Sequence, residues 1–459
     1  FNITGGLMRT NIPAFRLPAS VLDDEINTIL EMGVDLRLDH RVDSMQALLK
    51  EDFDAVFVGT GAPRGKELEL PGRHDSDRIH IGIDWLESVA FEHTDSIGEK
   101  VLIIGVGNTA MDCCRTSLRL GGRDVKVMAR KPRGHFKASA WELEDAEEEQ
   151  VEIVVNHSPR EFVIEDGKLV GMRFDHLEYS EDSAGNLESK IIGEEFLPCD
   201  DVILAIGQEN AFEWIERDIG ITFDEWNVPV IDKTTHQSTR DGVFFGGDAA
   251  FGPENIIWAV EHGHQAAISI HRYCASQSLN ERLPVGMNLA STKMSIHEWS
   301  FSNDFDPSAR RQMRHVDLQK RFDELNIEVE LGFSSEQAAI EIQRCLNCDI
   351  QTVFNEKLCI ECDACIDVCP VLCLTITENG EEAELRQRLT APAENKDQAI
   401  FVSKGLPQTG RVMVKDEDLC VHCSLCAERC PTGAWDMRKS TLLIPYAIDE
   451  EVAWARKAG

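Results

Sequence analysis

Eleven of the chain's 15 cysteines lie between Cys345 and Cys430, most of them two or three residues apart. Cys359-x-x-Cys362-x-x-Cys365-x-x-x-Cys369-Pro370 is repeated as Cys420-x-x-Cys423-x-x-Cys426-x-x-x-Cys430-Pro431. A tight loop with this spacing bends three thiolates onto one iron–sulfur cube, and the proline keeps the fourth cysteine pointing away, towards a neighbouring cube. The expected ligand sets are therefore crossed: Cys359, Cys362, Cys365 and Cys430 for one [4Fe–4S] cluster, Cys420, Cys423, Cys426 and Cys369 for the other. A pair of zinc sites is the competing reading, because Cys-x-x-Cys pairs also hold zinc. Zinc uses two such pairs per ion and gives no role to a fourth cysteine followed by proline, twice over. Cys345 and Cys348 cannot complete a cluster alone and read as a structural pair; the alternative is a third site with two more ligands from Cys373 or from further sequence. Cys113, Cys114, Cys199 and Cys274 read as buried small residues.

A second chemistry sits earlier in the chain. Val101-Leu-Ile-Ile-Gly105-Val-Gly107-Asn-Thr-Ala110 reads as a strand, a glycine turn and a helix start. Gly105 makes the turn, Gly107 admits a pyrophosphate close to the backbone, and Ala110 lets helix and strand pack closely. The next strand ends on Arg130-Lys131-Pro132-Arg133 rather than on a carboxylate, which favours the 2′-phosphate of NADP over NAD; an ordinary solvated basic loop is the alternative. Gly247-Asp248, with Gly252-Pro253-Glu254-Asn255 just beyond, places a carboxylate at a strand end to accept a sugar hydroxyl. A helix N-terminus follows, suited to an anionic flavin. Thr60-Gly61-Ala62 ends another strand and supplies the other half of such a site.

The elements needed to position these groups are legible as a β-turn-α-β rhythm, the mark of a parallel sheet. Residues 20–33 read as a helix capped by Ser20, with Ile26, Ile29 and Leu30 as its apolar stripe and Gly33 as its stop. Val34, Leu36 and Leu38 alternate like a strand. Buried strands follow at 55–59, 101–105, 125–129, 201–206 and 243–245, and a long helix runs from Pro253 to about Ala275. Residues 280–333 read as an irregular wrapping linker, Ser334 to Cys345 as a short helix, and 377–415 as a polar interruption of the cysteine module. The expected domains are 1–95 with 209–276 for a flavin, 96–208 for the nicotinamide nucleotide, 277–340 as linker, 341–440 for the clusters and 441–459 as tail.

Composition narrows the partners. With 46 basic against 81 acidic residues the net charge is −35, so nucleic acid is an unsuitable partner. An acidic surface instead favours positively patched proteins. No apolar run reaches the roughly 20 residues of a membrane-spanning helix. Closely spaced, metal-type cysteines imply a reducing compartment, and a cytoplasmic location is expected. The chain opens at Phe1, without methionine, and reads as starting inside a domain.

Taken together, the runs Gly5-Gly6-Leu7 through Arg16 and Pro18, Gly59 to Ala62, Gly105 to Asp112, Ala205 to Gln208, and Gly247-Asp248 with Gly252, Pro253 and Gly263 resemble the small subunit of glutamate synthase and its relatives. The resemblance covers residues 1 to about 275, and the cysteine runs resemble bacterial ferredoxin. It implies an α/β protein with two Rossmann-like domains, one for FAD and one for NAD(P)H, followed by a small α+β ferredoxin-like 2[4Fe–4S] domain. Carried over, it implies FAD contacts at Gly5, Gly6, Leu7, Arg16, Thr60, Gly61, Gly247, Asp248, Asn255 and Ile256. It likewise implies NAD(P)H contacts at Gly107, Asn108, Thr109, Arg130 and Arg133, with Gly207 lining the site. The family's first glycine fingerprint would precede Phe1, so the FAD domain is expected to be incomplete at its start. Cluster cysteines stand at the N-terminus of the glutamate synthase subunit but at the C-terminus here. The expected role is therefore transfer of electrons between NAD(P)H and a redox partner or larger oxidoreductase complex. A true glutamate synthase subunit and a non-catalytic iron–sulfur wire are the alternatives.

Overall fold

A computed structural model describes residues 3–181, 187–282, 286–291, 308–344, 350–393 and 395–443. Cys345 and Cys348 lie outside the described residues, as does all but the first part of the expected tail. The chain divides into two compact units. One comprises 1–282 with 314–332, and the other 283–313 with 333–459.

The first unit is built on a five-stranded parallel sheet in the order Ile79–Ile81, Asp201–Leu204, Lys100–Ile104, Asp124–Met128, Glu152–Val154. Strands this apolar need cover on both faces. Val101, Ile103, Val125, Val127 and Ile203 bury one face against Trp85 and Leu86 of the helix Gly82–Ala90, and against Met111 and Cys114 of the helix Asn108–Arg119. Leu102, Ile104, Val202 and Leu204 bury the other face against Phe162, Met172 and Phe174. Those three belong to an antiparallel meander of strands His157–Glu165, Lys168–Glu181 and Leu187–Pro198.

The flavin-type portion contrasts with this. Val56–Val58 pairs in parallel with Val243–Phe245, and these two strands form a sheet of their own. Phe212, Ile215, Val243 and Phe245 pack one side of it with Met45. Phe57, Ile257 and Trp258 remain exposed.

Several local expectations change. The first long helix is Ala19–Leu30, opened by Pro18 rather than capped by Ser20, and it buries Leu22 while Ile29 stays exposed. Val34, Leu36 and Leu38 are exposed and form no strand, since among the described residues no strand pairs with their backbone. The long helix runs Ile256–Cys274, three residues later than its proline. Part of the supposed linker is structured. Gly286–Ser291 pairs with Trp435–Leu443 in the second unit, whereas 314–332 belongs to the first, with Val329 N–H bonded to the Phe15 carbonyl. The polar interruption also contains structure: Val412–Lys415 is a central strand with Val412, Met413 and Val414 buried. Cys113, Cys114 and Cys199 are buried as expected, but Cys274, at the end of its helix, is exposed.

Candidate cluster and nucleotide sites

In the second unit each cysteine run curls in the same way. Glu361 and Asp363 adopt φ of 55° and 58°, and His422 and Ser424 at the equivalent places adopt 50° and 68°. Left-handed backbone at non-glycine residues costs about 1 kcal/mol or more each and persists only where the surroundings enforce it. Here it turns successive thiols towards one centre. Short helices, Ala364–Asp367 and Leu425–Arg429, then carry the third cysteine of each run.

Two cavities result. Cys359, Cys362, Cys365 and Cys430 line one together with Phe354 and Trp435. Cys369, Cys420, Cys423 and Cys426 line the other together with Cys373 and Lys415. The fourth cysteine of each run thus faces the first three of the other. Backbone N–H groups point at the sulfurs, Glu361 N to Cys359 Sγ at 3.4 Å and Ala434 N to Cys430 Sγ at 3.2 Å. Burial pushes the Cys365 thiol up to about 11. The Cys420 thiol is instead held low, first by a hydrogen bond from Cys373 and then, against burial, by the charge of Lys415. Four convergent thiols with backbone donors around a largely apolar space fit a thiolate-ligated iron–sulfur cube, and all 13 described cysteines are free of disulfides.

The signals missed in this unit were the left-handed residues, which carry no glycine, the placement of Cys373 beside a cluster cysteine, and Lys415. Cys373 lies only 3.5 Å from Cys369, sulfur to sulfur.

In the first unit the strand Lys100–Ile104 ends on Gly105, whose φ is 122°; a Cβ there would lie 2.2 Å from the Ala205 carbonyl oxygen. Only glycine fits that turn. A Cβ at Gly107, by contrast, would meet no atom within 4 Å. No side chain caps the helix at Gly107, so its N-terminal N–H groups and dipole face that open space, a fit for a pyrophosphate. Ala110 is fully buried beneath it. Asn108 is exposed, but its Oδ1 accepts the Ser139 N–H and holds the following loop over the turn. Thr109 stands beside it at the helix start. Arg130 is exposed at the end of the strand Asp124–Met128, and its carbonyl accepts the Tyr179 hydroxyl at 2.7 Å. Arg133 is paired with Glu147. Gly207 precedes Gln208–Glu209, which pairs with Arg64–Gly65, and its carbonyl accepts Lys66 N–H.

The flavin-type residues gather from three segments. Gly5 opens the short helix Gly6–Thr10, and the Leu7 side chain would meet a Cβ on Gly61 at 3.8 Å. Thr60 is exposed beside it. Gly247 has φ 60° and ψ −154°, a conformation reserved for glycine. It leads into Asp248, whose carboxylate accepts Glu254 N–H at 3.2 Å. Burial raises the Asp248 pKa, with the Glu254 charge adding to it. Asn255 caps the helix Ile256–Cys274 by accepting Trp258 N–H, and Ile256 is exposed.

Arg16 has a different neighbourhood. Its guanidinium bonds Asp112 at 2.6 Å and also Glu142, both on elements of the five-stranded domain. Behind them Arg115 bonds Asp145 and Glu149, each at 2.9 Å. These partners lie about a hundred residues away in sequence, where no local pattern would reveal them.

Residues 19–263 match the family model for pyridine nucleotide-disulphide oxidoreductases. The chain belongs to that family. Residues 358–434 match a 4Fe–4S dicluster domain, so this oxidoreductase chain carries two cluster-binding motifs as well. Among its relatives is the NADPH-Fe(3+) oxidoreductase subunit beta of Geobacter sulfurreducens, 32% identical over 75% of this chain and 56% of that protein. The NADP(+)-dependent formate dehydrogenase subunit beta of Moorella thermoacetica is 31% identical over 75% and 50%. The glutamate synthase [NADPH] small chain of Azospirillum brasilense is 30% identical over 60% of each. The chain thus spans about half the length of the first two. FprA of Mycobacterium tuberculosis shares the fold at a TM-score of 0.51 and 16% identity, over 60% of this chain and 77% of that one. Among the described residues no helix is long and apolar enough to cross a membrane.

Proposed function

We propose that this chain moves electrons between NADPH and a protein redox partner by way of FAD and two [4Fe–4S] clusters. The observation that carries the reading is the presence, in one chain, of an open glycine cradle at Gly105 and Gly107 and two four-cysteine cavities. A bound flavin supplies the conversion between the two-electron chemistry of a nicotinamide and the one-electron chemistry of a cluster. The protein's own part is binding and orientation. Gly107 and the helix start at Asn108 and Thr109 receive the pyrophosphate, and Arg130 meets the 2′-phosphate. Asp248 accepts a flavin sugar hydroxyl beside Gly247, while Gly5, Leu7, Thr60 and Gly61 form the facing wall. No side-chain acid or base is needed.

In this reading the nucleotide domain begins at Ile79 rather than at residue 96, because the strand Ile79–Ile81 belongs to the five-stranded sheet and the helix Gly82–Ala90 packs on it; the FAD portion is the chain before it with 209–276, and the cluster domain takes in Gly286–Ser291 as well as the cysteine runs. The exposed apolar residues Phe57, Ile257 and Trp258 beside a sheet of two strands support an FAD portion completed by further chain. The names of the first relatives, subunits of NADPH- or NADP(+)-dependent oxidoreductases, support a place in a larger complex, and the closely spaced metal-type cysteines support a reducing, cytoplasmic setting. A glutamate synthase role is less well supported, because that relative matches over 60% of the chain where the others reach 75%. Anaerobic addition of NADPH to the full-length protein should bleach flavin and cluster absorbance together. Bleaching of the flavin alone would refute the relay.

A further inference from the structure

The two cysteine cavities carry different charge. Lys415, the last residue of the strand Val412–Lys415, is 1% exposed and lines the cavity of Cys369, Cys420, Cys423 and Cys426. Its ammonium donates to Thr352 Oγ1 and bonds Glu417 Oε2 at 2.8 Å. Thr352 Oγ1 in turn lies 3.9 Å from Cys420 Sγ. With its oxygen accepting from the ammonium, the hydroxyl has its own proton to offer the sulfur. The cavity of Cys359, Cys362, Cys365 and Cys430 has no lysine or arginine among its lining residues. Its lining includes the buried indole of Trp435 and the exposed residue Asp363 instead.

We propose that Lys415, acting partly through Thr352, makes the cluster at Cys369, Cys420, Cys423 and Cys426 the more easily reduced of the two, so that this cluster is where a single electron comes to rest. The inference rests on the two-cluster reading above. One-electron reduction leaves the iron, sulfide and thiolate inventory unchanged and adds one negative charge to an already anionic group. In a buried site that added charge is felt strongly by a fixed cation nearby, which stabilises the reduced form more than the oxidised one. Hydrogen bonding to a ligand sulfur acts in the same direction. Glu417 offsets part of the effect, but it is about a third exposed, so water screens its charge more than that of Lys415. Asp363, beside the other cluster, is exposed, so water screens its charge and it moves that cluster little. Lys415 is thus a tuning residue, and it need not touch the iron.

The test is an anaerobic reductive titration of the full-length protein with dithionite, followed by electron paramagnetic resonance, alongside iron and sulfide analysis. Roughly eight irons per chain are the starting condition. Fewer would sink the two-cluster reading itself, and this proposal with it, whereas eight irons reduced in one unresolved step would leave that reading standing and overturn this proposal. With both clusters present, Lys415→Met should lower the reduced-to-oxidised ratio of the more easily reduced cluster about tenfold at a fixed potential, equivalent to about 59 mV for a one-electron couple. The other step should stay in place, and Lys415→Arg should restore the original value. Glu417→Gln should move the same step the opposite way. Should Lys415→Met fail to hold its clusters, Glu417→Gln and Thr352→Val decide the matter, the first raising and the second lowering one step alone. Equal movement of both steps, or no movement at full iron content, overturns the proposal.

Discussion

The cluster loops and the glycine cradle are both built to hold an anionic cofactor, and they are built from different material. In the second unit the holding groups are side chains, the thiols of Cys359 to Cys369 and Cys420 to Cys430, gathered within two short runs. In the first unit the cradle is mostly backbone and empty space. Gly105 is required because Ala205 leaves no room for a Cβ, while Gly107 faces open space above free helical N–H groups. The side chains around the cradle are largely engaged with one another: Arg16 with Asp112 and Glu142, Arg133 with Glu147, Asn108 with Ser139. A site made of ligands should fail all at once when one is removed. A site made of shape should fail by degrees, and a charged residue near it can matter more to the fold than to the ligand.

The largest expected effect breaks the first half of this contrast. Cys430→Ala should lower the iron content from roughly eight to roughly four per chain, because Cys430 stands in the cavity of the other run. The surviving paramagnetic signal should match that left by Cys362→Ala. If it matched the signal left by Cys423→Ala instead, the ligand sets would not be crossed.

Next comes Arg16→Met, which tests whether Arg16 serves the flavin or the fold. Asp112 and Glu142 are almost wholly buried, and they share this guanidinium. Burial pushes Asp112 up to about 7 despite Arg16, with the like charge of Glu142 adding to the rise. Removing the cation leaves two buried carboxylates short of a partner, a change that costs about 3–5 kcal/mol. Thermal unfolding should therefore move to markedly lower temperature. An unchanged melting temperature together with lost flavin would instead make Arg16 a cofactor contact.

How much of this was legible follows the same division. Cysteine spacing specifies a loop and its ligands locally, so both runs and even their crossing could be read from the sequence. Gly105 was legible for a similar reason, since a turn between an apolar strand and a helix has few solutions. What could not be read depends on distant partners. Val34, Leu36 and Leu38 alternate like a strand, yet alternation makes a strand only where another strand pairs with it. Val412–Lys415 was hidden inside a polar stretch because its pairing partner, Leu374–Thr377, lies some forty residues earlier. The ion pairs of Arg16 span about a hundred residues and leave no mark in the local pattern. The left-handed Glu361, Asp363, His422 and Ser424 lack the glycines that usually announce such backbone.

The smallest expected effect sharpens the second half of the contrast, the distinction between the two arginines beside the cradle. Arg130 and Arg133 are equally plausible in sequence as ligands for a 2′-phosphate. In the structure Arg133 already pairs with Glu147, while Arg130 is exposed at the strand end with its carbonyl bonded to Tyr179 and no partner for its side chain among the described residues. A charge-assisted hydrogen bond contributes about 1.5–3 kcal/mol, and at an exposed position the lower end applies. Arg130→Ala should therefore weaken NADPH binding about tenfold while leaving NADH binding nearly unchanged, as measured by equilibrium titration of both nucleotides. Arg133→Ala should change either affinity by less than about twofold, because an exposed ion pair contributes little on its own account. The reverse ranking would mean that Arg133 leaves Glu147 when the nucleotide arrives. The cradle would then depend on a side chain that rearranges rather than on preformed shape.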